Sequence, residues 1–206
     1  MPVIKNLSQL DPNGVYTYAD YLSWKIEQAL ELIKGKIFKM AAPSRKHQDV
    51  SREITLALGN HFKNHRCKLY SAPFDVRLFD KQKSILADKN IYTVVQPDLC
   101  IICDLKKLDD RGCLGAPDLI IEILSPGNSN REMKIKKNLY AESGVLEYWI
   151  VDPNSEIITR FNLETDDNYG RPYIFLSEDI MPSIIFTDFS LNLKEVFPEP
   201  DDEDLN

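Results

Sequence analysis

The sequence predicts an α/β fold: a central mixed β-sheet flanked by helices, with an N-terminal hairpin and additional antiparallel strands. Three observations carry that prediction. Residues 118–151 read as strand, helix, strand, with the length of a parallel crossover. Short apolar runs bounded by turn residues precede and follow this unit, as strands do. The 206 residues are 43% hydrophobic, enough to bury one core.

Each element has its own local reason. Residues 1–15 form an irregular lead-in. Thr17 is placed to cap a short helix that runs to Trp24. In Ala29–Met40, the Lys34-Gly35 pair between two apolar stretches favours a hairpin over a helix continuing to Ile33. Ala42-Pro43-Ser44 breaks the pattern. From His47 to His65, Val50, Ile54, Leu56, Leu58 and Phe62 recur at helical spacing, which predicts the longest helix. Lys68 to Phe79 alternates as one strand through Tyr70, Phe74, Val76 and Leu78. The polar stretch Asp80–Asn90 reads as a loop.

Two short apolar strands then each carry an acid. One is Gln96-Pro97-Asp98-Leu99-Cys100-Ile101-Ile102-Cys103; the other is Pro117-Asp118-Leu119-Ile120-Ile121-Glu122-Ile123-Leu124-Ser125. The charged segment Asp104–Ala116 connects them. Ser125-Pro126-Gly127-Asn128 reads as a turn and Ser129–Glu132 as a capping box. The helix it opens runs to about Glu142, with Gly144 as C-cap. Glu147–Val151 is a strand ended by Asp152-Pro153. Ile157–Phe161, Tyr173–Leu176 and Ile184–Phe186 predict the later antiparallel strands. Residues 16–196 read as a single domain, and 197–206 as an acidic, disordered tail.

Charge and composition narrow the function classes. No run of about 18 apolar residues exists to span a membrane, and the N-terminus lacks an apolar signal-peptide core, so the expectation is a cytoplasmic protein. The net charge of −7 argues against a polyanionic partner, but Pro198–Asn206 holds five of the acids. Without that tail, 27 acids face 25 bases, a balance that leaves room for a basic patch. Of the four cysteines, Cys100 and Cys103 have C-x-x-C spacing, half of a zinc site. No second pair follows, and positions i and i+3 of a strand face opposite sides. Buried free thiols in a reducing compartment are therefore the expectation for Cys67, Cys100, Cys103 and Cys113.

A carboxylate inside an Ile/Leu run is costly to bury without a cation, a metal ion or hydrogen-bond donors. Three carboxylates qualify: Asp98, Asp118 and Glu122. Asp118 and Glu122 face the same side of one strand but lie four residues apart, about 13 Å at strand rise. One small divalent ion is not easily reached by both. Asp98, on the neighbouring strand, comes closer to Glu122, so Asp98 and Glu122 are the expected pair and Asp118 a turn or edge residue. With the Ile123 carbonyl they would hold Mg2+ or Mn2+ with open positions for a phosphate oxygen and a water.

At this point a resemblance becomes specific. Pro97-Asp98 followed by a strand bearing Glu122 resembles the PD-(D/E)xK signature of the restriction-endonuclease-like fold. More narrowly, the chain resembles a bacterial family of restriction-endonuclease-domain proteins over roughly residues 15–190. Glu31–Gly35, Pro43-Ser44 with His47, Gln96-Pro97-Asp98, Gly115–Pro126 and Lys136 through Tyr140 to Pro153 carry it, and the ordered set is far more specific than any piece. The resemblance implies a Mg2+-dependent endonuclease acting on DNA, with a homodimer by analogy. It also exposes a departure: the lysine expected two residues after Glu122 is Leu124. The resemblance suggests that Lys136, on the following helix, has taken its role. The alternative is an ordinary surface pair of Lys136 with Glu132. Glu31 and His47 are implied as further site residues, with a solvated strand acid and a structural histidine as their alternatives. Arg131, Lys134 and Lys137 could line a DNA path or simply face solvent. The competing function is a nucleic-acid-binding or interaction module that keeps the fold without the chemistry.

Overall fold

A computed structural model describes residues 3–79, 91–125, 130–165 and 167–197. The expected loop Asp80–Asn90, the turn after Ser125, the capping residue Ser129 and the acidic tail beyond Phe197 lie outside the described residues. The order of elements is α1 (Tyr18–Ser23), β1 (Leu30–Ile33), β2 (Lys36–Lys39), α2 (Arg45–Phe62), β3 (Lys68–Ser71), β4 (Val76–Leu78), β5 (Thr93–Val95), β6 (Leu99–Ile102), β7 (Leu108–Asp109), β8 (Gly112–Leu114), β9 (Leu119–Ile123), α3 (Asn130–Ser143), β10 (Glu147–Asp152), β11 (Ile157–Asn162), β12 (Tyr173–Leu176), β13 (Ile180–Pro182), β14 (Ser190–Asn192) and α4 (Leu193–Val196).

The predicted mixed sheet runs β12-β11-β10-β9-β6-β3. Its β9–α3–β10 unit is the expected crossover, with β9 and β10 parallel from Leu119↔Glu147 to Ile123↔Val151. Pleat alternation divides the core around it. Leu99, Ile101, Leu119, Ile121 and Ile123 face one side, where α2 lays down Val50, Ile54, Leu58 and Phe62. Cys100, Ile102 and Ile120 face the other, against Leu139, Tyr140 and Ala141 of α3. A second six-stranded sheet, β2-β1-β5-β4-β8-β7, takes in the N-terminal hairpin and packs on this same side through Ile33, Val76 and Val95. Thr17 caps α1 as predicted, accepting from the Asp20 N–H. Gly144 ends α3 at φ +91°.

Several expectations are corrected. The single strand Lys68–Phe79 is two, β3 and β4, which lie in different sheets. The break falls at Ala72-Pro73, since Pro73 has no N–H to continue a ladder. The connection Asp104–Ala116 contains the β7–β8 hairpin. There Gly112 sits at φ +115°, and a Cβ would come within 2.2 Å of the Asp75 carbonyl oxygen. Leu56 points away from the core and is exposed. Ile184–Phe186 is not a strand, because the N–H groups of Ile184 and Ile185 donate to the buried Glu147 carboxylate. The antiparallel pair is instead β13 with β14.

Cys67 and Cys103 are not free thiols: they form a disulfide. The β3–β6 register pairs Lys68 with Ile102, so Cys67 and Cys103 fall opposite each other at the next position. Cys100 and Cys113 are buried free thiols, and burial holds both above the ordinary thiol range. A zinc site on Cys100 and Cys103 is thereby overturned.

Candidate active site

The β6–β9 register pairs Leu99 with Ile121, which sets Asp98 and Glu122 opposite each other at the next position. Asp98 sits just before β6 at the end of the ladder. One carboxylate oxygen accepts the Ile123 N–H at 2.7 Å, and the other lies 3.2 Å from His47 Nε2. His47 is buried in the first turn of α2, which Ser44 caps by accepting the His47 N–H. Among the described residues, its buried Nδ1 has no hydrogen-bond partner.

Glu122 takes two donors on the same oxygen, Oε1: Lys136 Nζ at 2.9 Å and the Tyr140 hydroxyl at 2.5 Å. Lys136 and Tyr140 stand one helical turn apart on α3, so a single stripe of that helix supplies both. Lys136 also donates to Glu31 at 3.0 Å. Glu31, on the wholly buried β1, accepts the Gln96 N–H at 2.9 Å through that same oxygen. The ammonium therefore bridges the buried Glu31 and the part-buried Glu122, carboxylates from two different sheets.

Electrostatics follow from this geometry. Burial pushes Glu122 up to about 7; Lys136 opposes the rise, while Glu31 and Asp98 add to it. Burial would pull Lys136 down, but Glu122 and Glu31 outweigh it and hold the ammonium above the ordinary lysine range. Tyr140 is held well above the ordinary phenol range, first by burial and then by Glu122 and Glu31, so it remains a proton donor.

Glu31, His47, Gln96, Asp98, Glu122 and Lys136 line one cavity of about 120 Å3, with Ile123 and Leu124 beside them. All of the sequence-predicted site residues meet there. Asp118 does not; its carboxylate accepts the Cys103 N–H at 2.7 Å. Lys137 lies over the Phe161 ring, and Arg131 and Lys134 are exposed. Glu147 is a useful contrast. It is fully buried, yet its partners are uncharged: Trp149 Nε1, Ser183 Oγ, Asn162 Nδ2 and two backbone N–H groups. It is a structural carboxylate, whereas Glu122 is held by an ammonium and faces a cavity.

Tyr140 and Gln96 are the residues that sequence reasoning did not list for the site. Tyr140 was legible as i+4 from Lys136. Gln96 was not, since its role is a main-chain N–H plus a side chain that donates to Asp75 at 2.8 Å.

Among the described residues, no group of three or more His, Cys, Asp or Glu side chains is arranged to hold a metal ion. The donor set nonetheless fits a hard divalent ion. Asp98 and Glu122 present carboxylate oxygens at a polar cavity, and Mg2+ is ordinarily held by one or two carboxylates with the remaining positions left to water and phosphate.

The family model described as "Putative restriction endonuclease" (Uma2) matches residues 18–194. The chain belongs to this nuclease family. Similarity extends to an uncharacterized Synechocystis protein, slr1290, 24% identical over 153 residues, which are 73% of this chain and 75% of that one. The fold is also that of a crystal structure titled as a putative nuclease belonging to DUF820 from Anabaena variabilis. Its TM-score is 0.68 at 20% identity, covering 88% of this chain and 97% of the other. Family membership makes the chain a nuclease-family enzyme, in a superfamily that generally uses divalent metals. Among the described residues, no helix is long and apolar enough to cross a membrane.

Proposed function

We propose that the protein is a divalent-metal-dependent endonuclease that hydrolyses DNA phosphodiester bonds, with Asp98 and Glu122 as metal ligands and Lys136 as the third member of the site. The observation that carries this reading is the convergence of Lys136 on Glu122 and Glu31 at the cavity edge. It supports a relocated motif lysine rather than a lost one, and so favours the enzyme over the binding-only module.

Bound Mg2+ or Mn2+ would supply positive charge against the developing phosphate charge and acidify water for in-line attack. The chain's own residues do the rest. Lys136 orients the attacking water or offsets charge on the phosphate oxygens. Tyr140 and Lys136 together fix the Glu122 carboxylate. The Ile123 N–H and His47 fix Asp98, and the Ile123 carbonyl is a candidate third ligand. Glu31 holds Lys136 from the opposite side. A homodimer, which would address two strands, is part of the same proposal.

The test is Mg2+- or Mn2+-dependent cleavage of plasmid DNA by the wild type. Asp98→Ala is expected to abolish it, and cleavage retained in that variant would remove the assignment.

A further inference from the structure

A second cavity, about 580 Å3, opens beside the candidate catalytic cavity and shares His47, Gln96, Asp98 and Ser125 with it. One wall is the polar stripe of α2, Gln48, Ser51, Arg52 and Thr55, turned away from the core stripe Val50–Ile54–Leu58–Phe62. The rest of the lining includes the small side chains of Ala42-Pro43 and Ala72-Pro73, with Met40 and Leu56. Its size is that of ligand-binding clefts.

The lining indicates what the cleft can hold. Among the described residues, no Phe, Tyr or Trp lines it, and its one ring, the His47 imidazole, is buried against Asp98, so it offers no exposed ring on which a splayed base could stack. The stripe offers hydroxyl, amide and guanidinium groups, the donors that position nucleic-acid backbones. Arg52 is exposed and, among the described residues, pairs along its own helix with Glu53 at 2.6 Å, a surface contact worth little and readily exchanged for a phosphate.

We propose that this groove takes the sugar–phosphate backbone of the strand being cut, on one side of the scissile phosphate. The inference rests on the phosphodiesterase reading above and extends it: the substrate is a nucleic-acid strand gripped beyond the reacting bond, without regard to base identity. Continuity with the Asp98 cavity places the gripped segment directly next to the bond that is hydrolysed.

Ser51→Trp would fill the groove and Arg52→Ala would remove its cation; neither touches the Glu122–Lys136–Glu31 cluster. Fluorescence anisotropy with metal-free protein measures affinity for a long single-stranded oligonucleotide. Hydrolysis of bis(4-nitrophenyl) phosphate with Mn2+ reports the catalytic cavity alone. Ser51→Trp is expected to weaken oligonucleotide binding about tenfold or more while hydrolysis of the small diester stays at the wild-type rate. Arg52→Ala is expected to reduce the slope of log affinity against log salt by about one, and it serves should Ser51→Trp not fold. Oligonucleotide affinity and salt slope unchanged in the variants would overturn the groove alone. Small-diester hydrolysis falling in step with binding would also overturn it, by showing a general disturbance. A wild type inactive on both the small diester and DNA would overturn the phosphodiesterase reading and the groove with it.

Discussion

Lys136 Nζ lies 2.9 Å from Glu122 Oε1, although the strand position where a motif lysine would stand is Leu124. The ammonium arrives from α3, which begins after the strand and runs back along it. Two readings of Lys136 were open from sequence, an i,i+4 pair with Glu132 or a site residue. Geometry brings it to Glu122 and Glu31.

The relocation can be tested by reversing it. Lys136→Met leaves the buried Glu31 and the part-buried Glu122 without their cation, which should cost about 3–5 kcal/mol of stability. It should also lower cleavage by about 10²–10⁴. Adding Leu124→Lys restores an ammonium on the same strand face as Glu122, at the same cavity. The double variant is expected to recover a measurable part of the activity in a plasmid-nicking assay. Recovery of stability without any cleavage would count against Lys136 as a participant in the chemistry.

Stability should depend on pH through Glu122. Its folded pKa is raised by burial from 4.5 to about 7, so the folded state binds more protons than the unfolded one between those values. The metal-free protein should therefore lose stability as pH climbs through that window. Glu122→Gln should flatten this part of the curve, as seen by melting temperatures from about pH 5 to about pH 8. A divalent ion needs the ionised carboxylate, so Mn2+ should raise the melting temperature more at the alkaline end. A wild-type curve identical to that of Glu122→Gln would show that this group does not titrate as inferred.

Much of this was legible in the sequence, for identifiable reasons. The hairpin at Lys34-Gly35, the α2 core stripe and the β9–α3–β10 unit are local patterns, and local patterns survive folding. Pleat spacing separated Asp118 from Asp98 and Glu122 before any contact was known. What escaped was long-range. Nothing near Ile184 announces that its N–H is taken by Glu147, 37 residues earlier. Pro73 marked a break, but not that β3 and β4 join different sheets. The burial of Glu31 depends on β5 and α3 closing over β1, which no window of the sequence contains.

The cysteines were the clearest misreading, because cross-strand register, not spacing, pairs Cys67 with Cys103. The bridge closes a separation of 36 residues, and a loop of that size makes it worth about 3–4 kcal/mol. Cys67→Ser, or reductant on the wild type, should lower the denaturation midpoint accordingly in chemical unfolding. Thiol titration of the unfolded, unreduced protein should find Cys100 and Cys113 only. Four reactive thiols would mean that the protein as isolated is reduced.

Tyr140 gives the sharpest test of how the site is held. Its hydroxyl is fully buried, donates to Glu122 at 2.5 Å, and its ring packs edge-on against Tyr148 at 5.0 Å. Since Lys136 donates to the same oxygen, Tyr140 fixes the rotation of the carboxylate while Lys136 balances its charge. Tyr140→Phe keeps the packing and removes only the donor. The lost hydrogen bond to a charged group should cost about 1.5–3 kcal/mol of stability. Partners that orient a metal ligand typically matter more to the metal than to the fold, so Mn2+ affinity measured by calorimetry should fall about 10–100-fold. Lys136 should still neutralise Glu122, so the pH window of the metal-free stability curve should shift upward rather than vanish: the tyrosine hydrogen bond favours the ionised form. A lowered melting temperature with unchanged Mn2+ affinity would make Tyr140 a packing residue, and would leave the orientation of Glu122 to Lys136 alone.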